Sequence, residues 1–212
     1  MPISSYFSTT SLDLISDNNH TWFDLIIKLL ESAEILSKAH NKGLYNFKSK
    51  IQEFSADDYL ESKELNKQFQ EIFQTKSPKK CSKNFFREYL ERINSFGIFD
   101  EPIFLIAAYL FTEVIFSKQN LLITKFTTLK LFGVCLNFAQ KLLLDKKLKA
   151  TDFYKITGIK TAIITEGQIF LLFKIFNLKI PHSYHILQKF KIWLSTIDIR
   201  VKKLEGKLNK EN

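Results

Sequence analysis

Apolar residues recur along this chain at three- and four-residue steps, and that rhythm predicts helices almost from end to end. Residues 1–18 are polar, rich in Ser and Thr and without a sustained period, so they read as a flexible arm. Trp22, Leu25, Ile26, Leu29, Leu30, Ala33 and Leu36 then form the stripe of an amphipathic helix. Thr21 can cap it with Asp24 three residues on, and Asn41-Lys42-Gly43 is a stop, which makes 19–43 one helical unit laid on a body. The period loosens from Leu44 to Thr75, where Leu60, Leu65, Phe69, Ile72 and Phe73 keep a partial helical spacing. A lysine-rich turn, Lys76 to Lys83, follows. Together 44–83 read as an insertion ending in a basic loop.

Five helical segments come next, in close order, over 84–181. Asn84 to Phe96 steps through Phe85, Tyr89 and Ile93, with Arg87–Glu91 and Glu88–Arg92 spaced to pair across one turn, and Gly97 ends it. Asp100-Glu101-Pro102 opens the second, which runs nearly all apolar to Phe116. The third, Phe126 to Asp145, carries no charge from Leu131 to Ala139, so it has no solvent side along most of its length and must be surrounded by other helices. A short fourth ends before Gly158, and a fifth runs from Ile159 to Phe176. Beyond Pro181, 182–212 form a basic C-terminal helix. Its apolar positions Phe190, Leu194, Ile197, Val201, Leu204 and Leu208 make a narrow seam, equally suited to the protein's own body or to a partner.

Composition sharpens the fold class. Phe is frequent at 21 whereas Gly (6) and Pro (4) are scarce, which suits long helices and argues against a sandwich or barrel, so an all-α fold is expected. The uncharged run of the third helix and the apolar run of the second, interrupted by Glu113, both fall short of the roughly 20 residues that a bilayer requires, so no membrane span is expected. A formal charge of +9 invites a nucleic-acid reading. The basic residues are scattered along the whole chain, however, which argues against it. Cys81 and Cys135 lie far apart and give no disulfide pattern; with no signal-peptide pattern at the N-terminus, a cytoplasmic or nuclear protein is expected.

Residues that could carry catalysis are missing. Of the four histidines only His182 and His185 are near each other, with no acid or cysteine beside them, so no metal site is expected. No phosphate-binding glycine loop, HExxH or GxSxG occurs, and Cys135 sits on the apolar helix as packing. Asp57-Asp58 reads as solvated surface. The expectation is a non-enzyme with no catalytic residue, no cofactor, no metal and no small-molecule substrate.

Specific residues then point to a family. The segment FFREYLERINSFGIFDEPIFLIAAYLF resembles the opening of a cyclin box, in which a Tyr-Leu-x-Arg-Ile helix leads into an apolar second helix. TTLKLFGVCLNFAQKLLLD resembles that box's third helix, with Lys130 at its usual basic position and an Ala-x-Lys-x-x-x-Asp ending at Ala139, Lys141 and Asp145. YKITGI, Tyr154 to Ile159, is similar to the Tyr-x-x-Val-Gly-Gly-Ile turn of the single-box, phosphate-pathway branch, the P- or U-type cyclins. That branch follows the turn with an acid-led Glu-[Leu/Met]-Asn-x-Leu-Glu run, whose two acids here fall on Ile163 and Gln168, leaving Glu166 as the one acid of the fifth helix.

The resemblance implies a single five-helix cyclin box over 84–181 that binds and activates a cyclin-dependent protein kinase, as a heterodimer, by holding the kinase's C-helix in its active position. It implies kinase-binding roles for Lys141, Asp145 and Glu166, with Leu142 and Phe170 assigned to apolar contact by helical face. From spacing alone, Lys141 reads instead as a lysine whose stem lies along the core and whose head pairs with Asp145. Two alternatives stand beside kinase activation: a cyclin-fold module for nucleic acid or transcription machinery, and a helical scaffold docking through the Phe190–Leu208 seam.

Overall fold

A computed structural model describes residues 21–44, 56–75, 84–117, 119–144, 148–178 and 184–210. Among them the chain forms nine α-helices and no strand: α1 (Trp22–Asn41), α2 (Ala56–Phe73), α3 (Phe85–Ser95), α4 (Glu101–Ile115), α5 (Lys125–Leu143), α6 (Ala150–Thr157), α7 (Thr161–Phe170), α8 (Tyr184–Ser195) and α9 (Ile197–Leu208). A π-helical turn, Leu171–Ile175, extends α7. The expected all-α fold is what forms among the described residues.

Helix α5 is the axle. Every residue from Leu131 to Gln140 is buried, α4 packs along it, and α1, α2 and α7 close round it. The missing charge between Leu131 and Ala139 is thus the mark of a helix solvated only at its ends. Gly133 makes part of this closeness possible. A Cβ there would lie 2.1 Å from Ile159 Cδ1, so the loop between α6 and α7 presses directly on the α5 backbone.

The helix ends follow local chemistry. Thr21 Oγ1 accepts from the Asp24 backbone N–H at 3.3 Å, and Asp100 caps α4 by accepting from Ile103 N–H at 3.2 Å. Asp24 does not complete a capping box. Its carboxylate instead accepts from the Thr21 hydroxyl at 2.8 Å and from Arg87 of α3 at 2.6 Å, which clips α1 to α3. Thr124 and Thr127 form a reciprocal capping box at the start of α5. Gly97 and Gly158 end α3 and α6 with φ of 64° and 74°, a conformation that glycine adopts without steric cost.

Two regions differ from the sequence expectation. The stretch 44–83 contains a core element, because Leu65, Phe69 and Phe73 of α2 are buried against α5 and α7. Polar tethers hold the same helix. Asn66 donates to Asn120 O (3.2 Å) and accepts from Leu122 N–H (2.7 Å), Gln70 donates to Leu122 O (2.7 Å), and Lys130 donates to Gln74 O (2.6 Å). The C-terminal segment is two helices, broken at Thr196, rather than one. Its seam faces the body, with Phe190, Leu194, Ile197, Val201 and Leu204 all buried against α1 and α4. The basic loop 76–83 and the histidine motif at 182–185 lie outside the residues whose side chains are described.

Candidate partner-binding site

The C-terminal end of α5 and the outward side of α7 form one surface. Lys141 is the first exposed residue after the buried run of α5, and its Nζ donates to Gln168 Oε1 at 2.7 Å. Gln168 Nε2 in turn donates to Asn137 Oδ1 at 2.5 Å. Asn137 is 5% exposed, so this relay runs from the core of α5 across to α7 and out to an ammonium group at the surface. The ammonium head of Lys141 is thus held in place against α7 while its residue stays exposed.

Glu166 lies exposed on α7 and forms no ion pair among the described residues. The nearby apolar chemistry differs from the expected assignment. Phe170, assigned to the partner surface by helical face, is 5% exposed and packs at ring-centroid distances of 6.0 and 6.2 Å from Phe69 and Phe73. The reason is α2, which covers that side of α7. A Cβ on Gly167 would lie 2.9 Å from Val134 and 3.1 Å from the Phe73 ring, so α7 sits tight against both neighbours. The apolar side chains that do reach solvent are Ile169, 55% exposed, and Phe173, 57% exposed.

Phe173 lies in the π turn, where Phe176 N–H donates to Leu171 O at 2.8 Å, five residues back. Such turns widen the helix, shift the facing of later residues and are frequent at functional sites. Leu142 is 36% exposed beside Lys141. Asp145 lies outside the described residues. The structure thus ties Lys141 to Gln168, leaves Leu142 and Glu166 exposed on α5 and α7, removes Phe170 to the core, and shows Ile169 and Phe173 exposed beyond Gln168. Gln168 was named in the sequence only as the position of a missing acid. Ile169 and Phe173 had no signal, because they lie in the unbroken apolar run Ile169 to Phe173.

A family model described as Cyclin matches residues 32–178, well over half of the chain. The chain belongs to the cyclin family. The match starts inside α1 and runs to Leu178, just past the π turn, so it takes in α2 as well as α3 to α7. No curated protein matches the chain. Cyclins are regulatory proteins that work through a protein partner, typically a kinase. Among the described residues no three His, Cys, Asp or Glu side chains gather as a metal site, and no single helix is long and apolar enough to cross a membrane.

Proposed function

We propose that this cyclin is the regulatory subunit of a cyclin-dependent protein kinase of the P/U-type branch, acting as a heterodimer in the cytoplasm or nucleus. It would activate the kinase by docking its mobile C-helix on the α5–α7 surface. The observation that carries the reading is the Lys141–Gln168–Asn137 relay joining α5 to α7, the helix that with its π turn also exposes Ile169 and Phe173. It offers a fixed cation for helix carbonyls or a carboxylate, together with that apolar area. The Tyr154–Ile159 turn with its left-handed Gly158 supports the branch.

The work done would be conformational. A kinase whose C-helix swings outward lacks the Lys–Glu ion pair that orders its phosphates, and a rigid block against that helix restores it. Moving such an equilibrium from 1:99 to 99:1 requires about 5.5 kcal/mol of preferential binding to the active state. Several apolar contacts and one charged hydrogen bond reach that size.

The test is to purify the chain with its co-eluting kinase and assay phosphorylation with and without it. Lys141→Ala is expected to weaken kinase binding by about 1.5–3 kcal/mol, the size of a charge-assisted hydrogen bond, with the fold unchanged. Phe173→Ser is expected to weaken binding too, whereas Ile163→Ala, a partly buried site, is not. A folded Lys141→Ala chain that binds and activates the kinase as the parent does would refute the site.

A further inference from the structure

The outer face of α9 carries chemistry that neither its own packing nor the α5–α7 surface uses. At 3.6 residues per turn, Ile197, Val201, Leu204 and Leu208 share the side laid on the body. Directly opposite are Ile199, Lys202, Lys203, Gly206 and Lys210. Ile199 is 73% exposed, more than any other large apolar side chain described. Lys202, Lys203 and Lys210, with Lys207 at the edge of the face, are all exposed, and none has an ion-pair partner among the described residues. Lys189 and Ile192, the latter 58% exposed, repeat the pairing of lysine with bare isoleucine on α8.

Ordinary surface chemistry accounts for part of this. The helix dipole favours Lys207 and Lys210 near the C-terminus of α9, but it does not reach Lys202 and Lys203 in the middle. Nor does it explain the isoleucines, or a glycine at the centre of an outward helical face with nothing within 4 Å of its Cβ position. Glycine there costs helix stability and leaves the backbone open to close approach.

We infer that the outer face of α9, with the adjoining turn of α8, docks an acidic amphipathic segment of another protein. Charge complementarity is the first ground. Between 184 and 210 the acids are Asp198, already paired with Lys28 of α1, and Glu205, against five unpaired exposed lysines. The second ground separates a carboxylate-bearing partner from a phosphate backbone. Phosphates are gripped best by the two-pronged arginine head, and the lone arginine here, Arg200, is half-buried with Nε donating to Thr196 Oγ1 at 2.8 Å. Lysines around exposed isoleucines match carboxylates interleaved with apolar side chains. Because α9 lies on α1 and α8, this surface does not depend on a kinase occupying α5 and α7.

Fluorescence anisotropy with the full chain tests the inference using three labelled probes: a peptide alternating glutamate with leucine, the same peptide with serine for leucine, and a single-stranded DNA. The glutamate–leucine peptide is expected to bind most tightly. The triple variant K202E/K203E/K207E is expected to weaken it about tenfold or more, and I192S/I199S about fivefold, from loss of steering charge and of buried apolar area respectively. All five positions are exposed, and a thermal melt checks that each variant keeps the parental fold. Lys141→Ala leaves this affinity unchanged, which separates it from the α5–α7 site. The inference is overturned if no peptide binds, if both peptides bind equally, or if the DNA binds tightest with the isoleucine variant unaffected.

Discussion

At the scale of single residues, the tightest constraint is an absence of atoms. Gly133 on α5 and Ile159 after Gly158 are so close that any side chain at 133 must displace the isoleucine. Gly133→Ala is therefore expected to destabilise by about 1–3 kcal/mol in a denaturant titration, the usual cost of overpacking. Gly206 gives the opposite sign. It lies in open space with a helical backbone, so Gly206→Ala should stabilise by about 0.5–1 kcal/mol through helix propensity alone. What the sequence revealed at this scale was polar and punctuating: the Thr21 and Asp100 caps, the Gly97 and Gly158 stops, and Lys141 where a buried helix meets water. What it hid was which apolar residue faces outward. On α7 Phe170 is buried while Ile169 and Phe173 are exposed. No hydrophobic period can distinguish them within the unbroken apolar run Ile169 to Phe173, and only the placement of α2 decides.

At the scale of elements, α2 is the instructive case. Its hydrophobic rhythm is broken because part of its inward side is polar by design of the fold. Asn66 and Gln70 spend their amides on the exposed backbone of 120–122, while Leu65, Phe69 and Phe73 fill the space over α5 and α7. An inward Asn reads as surface in a sequence, so the helix passes for an insertion. Phe69→Ala should cost about 3–5 kcal/mol, like any large core truncation, whereas an appended helix would lose far less. The C-terminal seam shows the converse. Its 3–4 spacing was legible, but spacing alone could not choose between the body and a partner. Burial of Phe190, Leu194 and Leu204 makes that choice.

Over the whole molecule, ion pairs tie together helices remote in sequence: Asp24 to Arg87, Lys28 to Asp198 and Glu101 to Lys191. The hydrogen bond from Arg87 holds the Asp24 carboxyl below its ordinary value of 3.8, so its stabilisation is present above that pH and is lost as pH falls through the depressed value. Glu31, on the same helix, is shifted the other way. Burial raises it above 4.5, so its ionisation disfavours the fold as pH rises through that range. Asp24→Asn should therefore flatten the acid limb of stability against pH below about 4, and Glu31→Gln should raise the melting temperature at neutral pH, both measurable by thermal scans across pH.

The axle helix also hides a chemical clock. Cys135 lies wholly inside it, and burial pushes its thiol well above the ordinary value, so in the closed fold there is neither access nor thiolate for an alkylating reagent. With Cys81 replaced by serine, the rate of iodoacetamide labelling would count how often the bundle springs open. A bound partner that recognises only the folded state should slow that count in proportion to its occupancy, giving affinity without any label at the interface.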